Sequence, residues 1–385
     1  MRILLVNKFY YRRGGDCIML LRTEQMLREH GHDVAVFAMS YPQNLPSEWS
    51  DYFASEVNFA TKRVAAMQRA MGYGDIIRSF TRMLDDFKPD VVHLHNIHSY
   101  ISPVVARLAH ERGCRVVWTM HDYKLICPGY TCTRDNGICR ACFERKWNVI
   151  IHKCMHNSTL ASMSAWVEAK KWNRDRLQQW VDLFICPSEY MAKSLRDAGF
   201  DSRKVMVLRN CVDTLPQEIV TKRDNYYCYV GRLVREKGVE NLLATATALP
   251  LRLKVAGTGP MEDELRQRYA DSEKIEFVGQ LDACQVSKLL SHAQFSVMPS
   301  ETPDNNPLSV IESLCQGTPV VGTHNGGIPE LIDVTNGIVA RPQALGTALE
   351  QACIRSWNNV EIARDAAEQF APAIHYDRLM KIYQA

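Results

Sequence analysis

Nowhere in its 385 residues does the chain hold an apolar run approaching the ~20 that a membrane helix needs, which argues against a spanning segment. The first apolar stretch, Met1 to Val6, stops at Asn7 and Lys8. That is too short for the core of an export signal, so a first buried strand is expected there. A strong charge of one sign is also missing, with 46 Lys and Arg against 43 Asp and Glu. Cysteine, by contrast, is not scarce. Thirteen thiols without an export signal point to a reducing cytoplasm, where clustered Cys bind metal more readily than they pair as disulfides.

What is present is a chain of ordinary globular make-up, 46% hydrophobic and 23% charged, long enough for two domains. Its charge is unevenly spread. Residues 1–190 carry 25 basic side chains against 19 acidic, and residues 191–385 carry 21 against 24. A basic first half suits an anionic partner such as a phospholipid surface or a lipid diphosphate, although a solvated face has the same composition.

The densest pattern runs from Val297 to Ile332. Phe295 to Met298 reads as a strand, followed by a polar loop. Pro307 suits the first turn of a helix whose apolar positions are Leu308, Ile311 and Leu314, and Gly317 closes it. Pro319-Val320-Val321 reads as the next buried strand, and Asn325-Gly326-Gly327 as a turn feeding another helix. Loops at the carboxyl edge of such a parallel sheet bind ligands. Asp304 and Glu312 flank the helix start, which offers partial positive charge to an anion. An ordinary α/β unit with solvated acids is the competing reading.

Earlier in the chain, Ile3 to Val6 precedes Gly14-Gly15, a loop whose backbone could approach a diphosphate closely, and then a helix carrying Leu20, Leu21, Met26 and Leu27 inward. Strands are expected at 33–37, 89–95 and 116–122, the last ending in His121. Cys127, Cys132, Cys139, Cys142 and Cys154 crowd the segment that follows. Cys139-x2-Cys142 is a knuckle, with Cys127 and Cys154 placed symmetrically about it. Cys127, Cys139, Cys142 and Cys154 therefore suit a structural zinc, which would fold a loop too polar to order itself. Cys132, His152 and His156 are alternative ligands; an iron–sulfur cluster or free thiols are the alternative states. From Arg145 to Trp180, basic residues interleave with Trp147, Trp166, Trp172 and Trp180, which suits a bilayer interface or, equally, a buried helical face.

Several pieces together resemble one family. Asp304-x7-Glu312, then Gly317-x-Pro319-Val320-Val321 and Gly326-Gly327-x-x-Glu330, is similar to the EX7E region of retaining GT-B glycosyltransferases of the sucrose-synthase-like group, family 4. Gly231-Arg232 with Lys237-Gly238, Ser188-Glu189-Tyr190 and Asn210-Cys211-Val212-Asp213 match further family segments. Four positions depart from the pattern: Asp304 stands for Glu, Asn306-Pro307 for Phe-Gly, and Cys211 for Gly. The resemblance implies an α/β GT-B fold with two Rossmann-like domains facing across a cleft. The first would span residues 1–214 with the Cys-rich insertion at 127–156. The second would span 224–370, with a helix at 371–385 returning to the first.

It also implies transfer of a sugar from a UDP- or GDP-linked donor, with retention, to a glycan or polyprenyl-diphosphate-linked acceptor in bacterial surface polysaccharide or O-antigen synthesis. Arg232 and Lys237, helped by the Gly14 and Gly15 amides, would stabilise the leaving diphosphate. Glu312 would hold the ribose, His121 and Asp304 the sugar, and Asn305 and Leu308 would complete the donor site. No side chain is marked as a nucleophile, and no catalytic cofactor or nucleic-acid partner is expected. The expected location is the cytoplasm, at the inner face of the plasma membrane. The alternatives are a nucleotide-sugar epimerase on the same fold and a zinc-knuckle binding module on a degenerate GT-B scaffold. The epimerase would need further acid–base carboxylates that the sequence does not mark.

Overall fold

A computed structural model describes residues 1–59, 61–135, 137–212 and 215–385. Asp213, the last residue of the Asn210–Asp213 match, lies outside the described residues. The chain divides into two compact units. Unit 1 takes Met1–Arg134, Ile138–Arg209 and Tyr376–Ala385; unit 2 takes Asn210–His375 with Asp135–Gly137.

Unit 1 is built on a six-stranded sheet of β1 (Arg2–Val6), β2 (Asp33–Phe37), β3 (Val91–Leu94), β4 (Arg115–Thr119), β7 (Leu183–Cys186) and β8 (Val205–Val207), with β5 (Thr133–Arg134) and β6 (Gly137–Ile138) forming a separate small ribbon. The strand order is β2-β1-β3-β4-β7-β8 and every pairing is parallel. A sheet covered by helices on both faces needs strands apolar on both faces, and Ile3-Leu4-Leu5-Val6 is fully buried. Leu4 and Val6 face one core with Phe37, Phe80 and Trp118, while Ile3 and Leu5 face a second core with Leu20, Leu27 and Val117. The helix Gly15–Glu29 supplies Leu20, Met26 and Leu27 as expected, with Leu21 only half-buried.

Unit 2 repeats the plan with β9 (Tyr226–Val230), β10 (Arg252–Ala256), β11 (Ile275–Gly279), β12 (Ser296–Met298), β13 (Val320–Thr323) and β14 (Gly337–Ala340). Their order is β11-β10-β9-β12-β13-β14, again all parallel. The central Tyr227 and Tyr229 are fully buried, and Tyr227 stacks on Phe295. The helix Leu308–Cys315 follows β12, with Pro307 at its N-cap, one residue earlier than the expected N1. The turn at Asn325–Gly327 leads only to a single helical turn, Ile328–Glu330, and then to β14. A full helix was expected there, but Pro329 inside the segment and Asp333 soon after leave no amphipathic repeat to extend it. The last helix, Pro372–Gln384, begins in unit 2 and ends in unit 1, where Leu379, Ile382 and Tyr383 are buried in the second core.

Candidate active site

In both units the strand order reverses beside the first strand, between β1 and β3 and between β9 and β12. The chain leaves these neighbouring strands in opposite directions, so their carboxyl-end loops part and leave a crevice. Of the residues singled out in the sequence, Gly14, Arg232, Lys237, Asp304 and Asn305 fall on those loops.

In unit 2 the loop after β9 carries Arg232 and Lys237, and the loop after β12 carries Asp304 and Asn305. Lys237 Nζ donates to Asp304 Oδ1 at 2.7 Å and Oδ2 at 2.8 Å, and Ser300 Oγ donates to Oδ2 at 2.6 Å. Both carboxylate oxygens are thus engaged and the lysine is fixed in direction. Close backbone packing sets this geometry. The Gly327 N–H donates to Asp304 O at 2.6 Å, and a Cβ on Gly326, which has φ of +66°, would lie 2.1 Å from that same oxygen. Asn210 and Asn306 brace the loop: the Asn210 N–H donates to Asn306 Oδ1 and Asn210 Nδ2 to Asn306 O, each at 2.8 Å. Arg232 is exposed and has no salt-bridge partner among the described residues; its carbonyl accepts from Tyr229 Oη at 2.8 Å. Leu308 opens the helix after the loop, and Glu312 stands one turn further along it; both are half-buried. The edge therefore presents an open guanidinium, a directed ammonium and a helix N-terminus, a set suited to holding a diphosphate.

In unit 1 the Gly14-Gly15 pair starts the helix Gly15–Glu29, with Gly14 extended and no side-chain cap, so the first-turn N–H groups are left to other partners. Next to it Asp16 accepts from Asn96 Nδ2 at 3.1 Å, and the Asn96 N–H in turn donates to Asn7 Oδ1 at 2.9 Å. Burial alone would raise the Asp16 pKa, but Lys8, His121 and hydrogen bonds outweigh it and hold the carboxyl below its usual range. His121 pairs with His95, Nε2 to Nδ1 at 2.9 Å, the rings stacked. Burial lowers the His121 pKa against the pull of Asp16 and Asp122, which favours the neutral ring at pH 7. Behind this pair lies a buried polar set. His98 Nε2 is 3.6 Å from Asp122, Lys124 Nζ is 3.3 Å from Glu168, and Ser99 Oγ donates to both Glu168 oxygens. The sequence reading did not single out Asp16, His95 or Asn96. The acid directly after Gly14-Gly15 and the His93-x-His95 pair at a strand end were the available signals.

The cysteine segment is gathered differently from the expectation. Cys132 and Cys142 are buried and Cys127 and Cys139 half-buried, whereas Cys154 is exposed. Among the described residues no group of three or more His, Cys, Asp or Glu is placed so that it could hold a metal ion. The tryptophans also depart from an interfacial row. Trp172 is buried and donates to Ala70 O at 2.8 Å, Trp180 packs edge-on against it, and only Trp147 is half exposed, at 51%. Lys171, Arg174 and Arg176 are likewise tied to backbone carbonyls. No helix is long and apolar enough to cross a membrane among the described residues.

Comparison with known proteins gives these edges a context. The family described as Glycosyltransferase Family 4 matches residues 18–214, and that described as Glycosyl transferases group 1 matches residues 224–359. The chain belongs to glycosyltransferase family 4. An uncharacterised 42.6 kDa protein in the cps region of Klebsiella pneumoniae is 25% identical over 352 residues, covering 86% of this chain and 87% of that protein. Among solved structures, the apo lipopolysaccharide outer core galactosyltransferase WaaB superposes with a TM-score of 0.66 at 14% identity, covering 98% of each chain. Anabaena HepE in complex with UDP-glucose gives 0.68 at 15% identity, covering 100% of this chain and 99% of that one. The fold of this family 4 glycosyltransferase is accordingly GT-B, with two Rossmann-like domains.

Proposed function

We propose that the enzyme transfers a sugar, with retention, from a nucleoside-diphosphate donor to a glycan or lipid-linked acceptor in surface polysaccharide synthesis. The observation that carries the reading is the Lys237–Asp304 pair beside the open Arg232 at the carboxyl ends of β9 and β12. When the glycosidic bond to the diphosphate breaks, negative charge grows on the leaving oxygen. Fixed cations aimed at that charge stabilise the transition state more than the ground state. Glu312, on the helix behind the clamp, accepts from the ribose hydroxyls. Asp304 is a poor nucleophile because Lys237 and Ser300 occupy its oxygens, so the acceptor hydroxyl attacks on the face the diphosphate leaves. Its proton passes to the departing phosphate oxygen. Asp16, His95 and neutral His121 line the acceptor-side edge of unit 1, with His121 in contact with the sugar.

The donor class is supported by the complex of HepE with UDP-glucose, and the biosynthetic setting by WaaB and the cps-region relative. A lipid-linked acceptor also fits an exposed apolar and basic surface in unit 1. Val64, Leu160, Met163 and Ile151 are 46–75% exposed, with Lys62, Arg63 and Lys153 beside them in the chain. Incubation with UDP- and GDP-sugars, scored by nucleotide release and by the anomeric configuration of the product, tests the reading. Inverted product would refute the retaining course, and no release from any donor would refute the transfer.

A further inference from the structure

Two loops form the acceptor-side edge of unit 1, one leaving β3 at His95 and one leaving β4 at Met120. They meet twice. His121 Nε2 lies 2.9 Å from His95 Nδ1, and Asp122 Oδ1 lies 3.6 Å from His98 Nε2. The Lys124 N–H donates to that same Asp122 oxygen at 2.8 Å, so the second contact is braced from its own loop.

A single carboxylate from elsewhere in the chain holds both loops. Glu168, on the helix Thr159–Lys171, accepts from Ser99 Oγ at 2.8 and 2.9 Å and lies 3.3 Å from Lys124 Nζ. Ser99 is one residue past His98, and Lys124 is two residues past Asp122. Each loop is therefore gripped beside the residue that meets the other loop. Glu168 and Lys124 are each 7% exposed, and Lys124 Nζ donates further to Pro128 O at 3.0 Å. Burying such a pair costs the solvation of both ions, and packed apolar side chains would often stabilise as well. What the charged pair adds is direction, because both of its partners are fixed in place. The backbone agrees. Ser99 has φ of +59°, a conformation that costs a non-glycine residue free energy and persists where the surroundings over-determine it. Here the surroundings include the Glu168 carboxylate, which meets the Ser99 hydroxyl with both oxygens.

We propose that Glu168 is a positioning residue for the transfer, pinning the loops after β3 and β4 so that His95, Asn96 and His121 keep their places. It acts through Ser99 and Lys124. The assignment rests on the sugar-transfer reading of this edge, since it is the acceptor side that the two loops shape.

The test separates position from stability. Glycine accepts φ of +59° without strain, so Ser99→Gly should melt close to the wild type while losing the Glu168 contact. Its kcat, read as nucleotide released from the UDP- or GDP-sugar that the wild type turns over, should fall by ~10-fold or more. Its affinity for UDP or GDP should not change. Glu168→Gln alone strands a buried ammonium and should lower the melting temperature. Adding Lys124→Met should recover the melting temperature but not kcat. In that double variant the backbone amides of residues 96–102 and 120–126 should exchange hydrogen faster than in the wild type. Wild-type kcat in Ser99→Gly, nucleotide affinity falling in step with kcat, or unchanged exchange in both loops of the double variant would each overturn the proposal. A wild type that turns over no donor would refute the transfer instead, and the exchange comparison would still decide whether Glu168 holds the loops.

Discussion

Arg232 and Lys237 differ in what surrounds them, and their variants should differ too. Arg232 is exposed and pairs with no carboxylate among the described residues, so Arg232→Ala should leave the melting temperature unchanged while lowering kcat by ~10²-fold or more. Lys237 is tied to Asp304. Lys237→Ala should lower kcat similarly but also free the Asp304 carboxylate, so some loss of stability is expected with it. Steady-state kinetics beside a thermal melt separates the two, and near-wild-type kcat in either variant would remove that residue from the clamp. Gly326 is the backbone counterpart. Any Cβ there meets Asp304 O at 2.1 Å on a left-handed residue, so Gly326→Ala should cost ~1–3 kcal/mol in denaturant unfolding. Because the Asp304 loop must move, activity should fall further than the lost stability explains.

At the scale of elements, apolar periodicity made the strands legible. β1, β2, β3, β4, β12 and β13 all lie where buried runs and turn residues put them. The placement of Gly14-Gly15, Arg232, Lys237 and Asp304 just beyond strand ends followed from the same reading, because loop residues next to a strand are placed by local sequence. What was not legible depends on which strands become neighbours. The His95–His121 contact joins the ends of β3 and β4, and Asp16 meets Asn96 only because β1 pairs with β3. The tryptophans left two readings open for a related reason, since a helix rich in Trp and Lys reads alike whether it faces lipid or a neighbouring helix.

The loops after β3 and β4 carry a pH dependence, through His98. Burial outweighs the nearby carboxylates Asp122 and Glu168 and lowers the His98 pKa from 6.5 to about 4, with Lys124 and Lys8 adding to the shift. The unfolded chain therefore takes up a proton near pH 6.5 that the folded chain refuses until about pH 4. The stabilisation is complete above pH 6.5 and is lost as pH falls through that window, by up to ~3 kcal/mol. Melting temperature should drop between pH 7 and 5, and less steeply in His98→Gln; an equal slope in the variant would exclude His98 as the cause.

For the whole molecule, the last helix links the units, since it starts at Pro372 in one and ends in the other. Its final turns are part of the unit 1 core. Tyr383 Oη is 2.7 Å from His93 Nδ1, His93 Nε2 is 2.7 Å from Thr119 Oγ1, and Tyr376 stacks on His30 at 3.6 Å between ring centroids. Leu379, Ile382 and Tyr383 are each 2% exposed or less. Arg232, Lys237 and Asp304 of unit 2, the proposed clamp, lie outside this helix. Tyr383→Phe keeps the ring and removes one buried hydrogen bond, so a loss of ~1 kcal/mol is expected. Tyr383→Ala also opens a cavity, with a loss nearer 3–5 kcal/mol. Both losses should appear in the unfolding of unit 1, followed through Trp118 at its core, while UDP or GDP still raises the melting temperature of unit 2. A Tyr383→Ala variant that unfolds like the wild type would mean that the helix end contributes nothing to the unit it enters.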